Sequence, residues 1–231
     1  MAKRIHPNAG VFESKEPRLS SGDDRFSTQP LPAEAPVALT VWRKSLLFNC
    51  SGFTVFNEKG NLVFRVDKYA KSSNKGEIDL MDAVGNPILT IRRKMLSLGE
   101  RWQIYDGDEA ANPRFSVRKH VSLLQSRSLA HMTPCAPPVP EGKRGVRYEI
   151  EGSYANRSCM IYDERRRPMA EIRRKEAVSG AVFGLDVFRL VVQPGFDAAL
   201  AMAAVILLEE MFGSKSSLIR SRSPNLVAES N

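Results

Sequence analysis

The stretch "GFDAALAMAAVILLEEMFG" near the end of the chain contains eleven consecutive residues, Ala198 to Leu208, without one polar side chain. A helix that crosses a bilayer needs about 20 apolar residues. Here Asp197 stands before the run and Glu209 and Glu210 directly after it, so no membrane span is expected. Ala, Leu and Met favour a helix, Asp197 can cap its start and Gly213 can end it, which predicts a helix over about 197–212. Its two glutamates meet the negative end of the helix dipole. A helix that is apolar on every face must be covered on every face. This demand narrows the folds open to the rest of the chain.

The residues before the helix read as strands. "GFTVFNEKGNLVFRVDKY" alternates about a turn at Lys59-Gly60-Asn61, and "GEIDLMDAVGNPILTIRRKMLSLGERWQIY" repeats the device about Asp82–Asn86. Further strands are expected in "RFSVRKHVSLL", "YEIEGSY", "SCMIYD", "MAEIRRK" and "DVFRLVV". The segments starting at Asp82 and Asp163 match without a gap at Pro87/Pro168, Ile91/Ile172, Arg92/Arg173, Arg93/Arg174 and Lys94/Lys175, which implies two related halves. Between them, "QSRSLAHMTPCAPPVPEGKRGVR" (Gln125–Arg147) holds four prolines and reads as a long surface loop. A barrel of more than about eight strands is too wide for its own side chains to fill, and the apolar helix would plug it. The expected fold is therefore mainly β: a closed antiparallel barrel built from two halves around a central C-terminal helix.

Residues 1–36 and 214–231 are rich in Ser, Pro and charge and read as flexible tails flanking one domain over 37–213. The net charge is +8; residues 1–36 are neutral and the last segment contributes little, so most of the excess sits on the domain. That excess suits an anionic partner or simple solubility. Cys50, Cys135 and Cys159 are odd in number and far apart, as in a reducing intracellular compartment, cytoplasmic or nuclear. The opening "MAKRIHPNAG" is not followed by an apolar stretch, so no secretory leader is expected.

"KSLLFNCSGFTVFNEKGNLVFRVDKY", "NPILTIRRKMLSLGERWQIY" and "GFDAALAMAAVILLEEM" resemble the plant LURP-one-related family over about Leu39 to Phe212. Members of that family are similar to the tubby C-terminal domain and the phospholipid scramblases. The resemblance implies a roughly twelve-stranded barrel around one apolar helix. It also implies phosphoinositide or plasma-membrane docking, as in tubby domains, and a link to plant defence. Scramblases depend on a membrane anchor and a calcium loop; the chain has neither signature, so lipid transfer is not carried over.

With a plugged interior, activity is expected on the outer surface. Strand alternation turns Leu89, Ile91, Ala170 and Ile172 inward and Arg92, Lys94, Arg173 and Lys175 outward. Arg93 and Arg174 fall on the inward parity, so they must end a strand or pair with a carboxylate. Arg165, Arg166 and Arg167 form the densest basic point, on a turn tip. These seven outward or turn cations are the candidate lipid-headgroup residues, since arginine binds phosphate oxygens in pairs. A charged strand face that resists aggregation fits the same pattern. Trp42 and Trp102 are expected to pack in the barrel, and Ser45, Arg65, Asp67 and Lys68 to form an ion pair between strands. No Gly-x-Ser-x-Gly, Walker loop or Cys-x-x-Cys is present, and His6, His120 and His131 are too few and scattered for a triad or metal site. A non-enzymatic monomer without cofactor or metal is expected. It would bind an anionic phospholipid or phosphoinositide surface; the alternative is a protein partner held by the Pro-rich loop 125–147. Nucleic acid ranks last, as only Tyr162 lies near the arginines.

Overall fold

A strand that buries one face places alternate residues there, and the twelve alternating segments of this chain do so in a computed structural model that describes residues 35–47, 50–69, 76–94, 100–108, 111–121, 126–135, 146–176 and 183–213. They are β1 (Val37–Trp42), β2 (Cys50–Phe56), β3 (Leu62–Tyr69), β4 (Glu77–Asp82), β5 (Pro87–Arg93), β6 (Arg101–Asp106), β7 (Phe115–Lys119), β8 (Ser128–Pro134), β9 (Tyr148–Ser153), β10 (Ser158–Asp163), β11 (Pro168–Arg174) and β12 (Val187–Val192), followed by helix α1 (Ala198–Phe212). Each strand pairs antiparallel with its neighbours in sequence, and β12 pairs with β1 to close the barrel. The closure leaves no free edge.

The helix occupies the interior. Every residue from Ala199 to Leu208 is buried. Each of the twelve strands contributes a side chain with 0% exposure, from Val41 in β1 and Ile91 in β5 to Leu190 in β12, so the cover comes from all sides. Asp197 accepts hydrogen bonds from the N–H groups of Ala199 (2.8 Å) and Leu200 (3.3 Å) and so caps the start as expected. Gly213 ends the helix, but in an extended conformation rather than a left-handed one. Its N–H bonds the Glu209 carbonyl, and a Cβ there would lie 2.4 Å from that oxygen, so close approach explains the glycine.

The two halves are visible in the hairpins. β4–β5 and β10–β11 share one register shift: Leu80 faces Leu89 and Met81 faces Pro87, while Ile161 faces Ala170 and Tyr162 faces Pro168. Both turns wrap around an aspartate. The Asp82 Oδ1 accepts from the N–H groups of Val84 and Asn86, and the Asp163 Oδ1 from those of Arg165 and Arg167. The left-handed position is Gly85 in the first (φ 104°) and Arg166 in the second (φ 62°). The tri-arginine tip thus keeps the shape of the Gly-Asn turn. At a non-glycine residue that conformation costs about 1–2 kcal/mol.

Two expectations need correction. The segment 125–147 is not all loop, because Ser128–Pro134 forms wall strand β8. Three of its prolines follow that strand, and Pro134 occupies the final position, where a missing N–H is tolerated. Trp102 is buried as expected, but Trp42 is 38% exposed on the outside of β1. The tails 1–34 and 214–231, and 136–145 of the Pro-rich segment, lie outside the described residues.

Leu207→Ala is expected to destabilise the protein by about 3 kcal/mol in urea unfolding, because Leu207 is 1% exposed and the closed wall has little room to collapse. Val84→Ala, at an 80% exposed position, should stay within about 0.5 kcal/mol. The Asp163 carboxyl is held below the usual range: burial opposes its ionisation, but the Arg167 N–H and guanidinium and the Arg165 N–H outweigh it. Its stabilisation is complete above the ordinary value of 3.8 and lost as pH falls through the lower folded value. Asp163→Asn should therefore lower the Tm at neutral pH, and its deficit against wild type should shrink as the pH falls below 3.8 and the folded carboxyl takes up its proton.

Candidate functional site

A helix that ends in two glutamates leaves two charges and its last carbonyls to be compensated at one mouth of the barrel. The strands that end there supply cations. Arg43, just after β1, donates to Glu209 (2.8 Å) and to Asp186 (2.7 Å). Lys68 of β3 pairs with Glu210. Lys119, at the end of β7, donates to the Met211 carbonyl (3.0 Å) and lies over the Phe212 ring. The β9–β10 turn adds Tyr154, whose hydroxyl donates to Glu209 (3.1 Å), and Arg157, 3.7 Å from the same carboxylate. Arg157 is 6% exposed, has a positive φ of 50° and lies between the rings of Tyr154 and Phe188. Burial drives the Tyr154 hydroxyl far above its ordinary pKa, so it remains a neutral donor. The Glu209 contacts raise the pKa of Arg43, with the hydrogen bond the larger cause.

Beside this collar lies a cleft of about 470 Å³, lined by Arg43, Lys44, Ser51, Phe53, Lys68 and Ile206 among others. The barrel interior is filled as expected, but its mouth is not sealed on the β2–β3 side. Of the strand-pair residues expected here, Asp67 accepts from Ser45 (2.5 Å) and pairs with Arg65 (2.7 Å) within its own strand, while Lys68 turns to the helix. The expected ion pair between strands is thus a contact within β3 plus one to the helix.

The seven predicted cations do not meet. β5 and β11 are six strands apart in a ring of twelve, so Arg92 and Lys94 lie on the opposite wall from Arg173 and Lys175. Both pairs lie toward the mouth at the helix C-terminus; Arg165, Arg166 and Arg167 sit at the other. Arg93 and Arg174 end their strands as the parity required, and Arg93 also approaches Glu100 at 3.5 Å. Several of the seven are already engaged. Arg92 pairs with Glu77 (2.8 Å) and stacks on Tyr105. Arg166 grips Glu151 with both terminal nitrogens (2.6 and 3.0 Å), reaches Glu149 and covers Tyr162. Arg167 pairs with Asp163 (2.7 Å). The densest basic point of the sequence is thus largely neutralised by its own neighbours.

The cations without a carboxylate lie away from that turn, and three of the four below were not among the sequence candidates. Arg173 of β11 stands directly opposite Arg189 of β12, and Arg101 of β6 opposite Arg118 of β7. Like charges in facing positions repel. None of the four has a carboxylate within ion-pair distance among the described residues. Arg189 and Lys175 also line an outer groove of about 370 Å³ with Glu58 and Thr40. Strand alternation in "DVFRLVV" places Arg189 outward; its partner across β11 could be named only once the register was known.

The nucleophilic and metal-ligating side chains are few among the described residues. Burial pushes the Cys159 thiol up to about 11, which leaves it protonated and a poor nucleophile at neutral pH. His120 and His131 do meet, nitrogen to nitrogen at 3.2 Å, contrary to the scattered reading, because β7 and β8 are paired. No group of three metal-ligating side chains occurs among the described residues. No described helix is long and apolar enough to cross a membrane.

Glu209→Gln should cost about 3 kcal/mol in thermal or urea unfolding, since it leaves buried Arg157 facing a neutral group. Glu210→Gln should cost less than about 1 kcal/mol, because the pair with Lys68 is more exposed.

Comparison with known proteins agrees with this architecture. The family described as LURP-one-related matches residues 37–209. Protein LURP-one-related 8 of Arabidopsis thaliana is 52% identical over 186 residues, covering 79% of this chain and 90% of that protein. Protein LURP-one-related 17 of the same plant is 40% identical, covering 77% and 84%. An X-ray structure of an Arabidopsis thaliana protein superposes with a TM-score of 0.55 at 22% identity, over 77% of this chain and 92% of that one, which supports the fold. With the family match spanning nearly the whole barrel, the chain belongs to the LURP-one-related family.

Proposed function

We propose that this barrel is a non-enzymatic docking module that binds an anionic phospholipid or phosphoinositide surface through its outer wall, as a peripheral regulator inside the cell. The observation that carries this reading is the pair of facing arginines, Arg173 and Arg189; Arg189 also lines a groove with Lys175 and Glu58. Two guanidinium groups in facing positions without a carboxylate are destabilising in isolation and are relieved by a shared anion. A membrane surface adds about 1 kcal/mol per nearby cation. A part in plant defence, at the plasma membrane or in the nucleus, follows from the family resemblance. The scaffold alternative is narrowed, since Ser128–Pro134 belongs to the wall and only the remainder of 125–147 is left for a partner.

Co-sedimentation with phosphatidylcholine vesicles, with and without phosphoinositide, tests the reading. Binding is expected only with the anionic lipid and should weaken steeply as salt rises. The double substitution Arg173→Gln and Arg189→Gln should lower the affinity by about an order of magnitude. Equal sedimentation with both lipids, or no effect of salt, would refute it.

A further inference from the structure

The exposed apolar side chains are unevenly shared between the two mouths. Around the helix N-terminal mouth stand Val37, Val84 and Val146; around the C-terminal mouth stand Trp42 (38% exposed), Leu46 (53%), Leu185 (46%) and Val121. Among the described residues, the exposed tryptophan and both exposed leucines are therefore on the second rim. Trp42 ends β1, Leu46 follows it in the next loop and Leu185 precedes β12; the two segments adjoin, because β1 and β12 are paired and the Arg43 N–H bonds the Asp186 carbonyl at 2.7 Å. Lys44 lies over the Trp42 ring, 5.1 Å from its centre. The Arg173–Arg189 pair is two residues back from Trp42 and Val187 along the strands, or about 7 Å. Arg43 is spent on Asp186 and Glu209, and Glu58 lines the groove with Lys175 and Arg189; Arg173 and Arg189 have no carboxylate within ion-pair distance among the described residues.

We propose that this rim is a membrane-insertion edge: Trp42, Leu46 and Leu185 enter the acyl boundary of an anionic bilayer while Arg173 and Arg189 contact phosphates one layer behind. The spacing fits an apolar surface buried about 5–10 Å below the headgroups. Tryptophan suits that boundary, having a large apolar body and a polar N–H. The partner is a lipid surface because these apolar side chains stand on the rim with Arg43, Lys44, Arg173 and Arg189 close behind them, the order of apolar boundary and anionic headgroup in a bilayer. The barrel then stands with the C-terminal end of α1 toward the membrane. This orientation rests on the lipid reading above and adds to it which end enters.

The chain's own fluorescence tests it. There are two tryptophans, and Trp102 is 4% exposed inside the wall. Full-length protein is mixed with vesicles of phosphatidylcholine and phosphatidylserine carrying brominated acyl chains. Trp42 emission is expected to shift blue and to be quenched, with no change on phosphatidylcholine alone. Trp42→Phe should abolish the quenching, and Trp42→Ala should weaken binding about tenfold or more. Trp102→Phe, checked for folding by circular dichroism, isolates the Trp42 signal. Vesicle binding with Trp42 emission unchanged would overturn the edge and leave the lipid reading standing. No binding to any anionic vesicle would overturn both.

Discussion

The structure depends on making an oily helix with an acidic end acceptable inside a protein. Its flanks need only apolar cover, which twelve strands supply without a gap. Its end needs charge. Glu209 and Glu210 sit where a helix is already negative; Arg43, Lys68 and Arg157 come from three separate parts of the wall to meet them, and Lys119 comes from a fourth to meet the Met211 carbonyl. The helix terminus therefore ties together β1, β3, β7 and the β9–β10 turn. The residue that looked weakest in the sequence is the point where the most elements converge.

The fold was legible to the extent that it rests on local pattern. The helix has no wet face, so a closed wall followed; the alternation gave the strands; the match from Asp82 to Asp163 gave the halves. β8 was missed because "SLAHMTP" has only a weak alternation and stands beside a proline cluster whose effect begins after it. Trp42 was misplaced because aromatic character predicts burial on average, while its parity on β1 turns it outward. The site was much less legible. Cation density pointed to Arg165–Arg167, yet Glu149, Glu151 and Asp163 meet those arginines from paired strands and from within the turn. Charge that is free and charge that is spent look alike in one dimension. Only the register shows that Arg173 faces Arg189.

The tri-arginine turn shows how far the two halves have diverged while keeping one backbone. At the left-handed position Gly85 serves in the first half, where no side chain is needed. Arg166 holds the same place in the second, in spite of the conformational cost, and its guanidinium fastens Glu151 and Glu149 on β9. The backbone of the turn was retained and the side chain was put to use in bracing a neighbouring strand.

A wall without an edge around an interior without spare volume has a further consequence. Ligands that act through shape need a second arrangement of the molecule to select. Any such rearrangement here would have to uncover Ala199–Leu208, which the twelve strands keep buried.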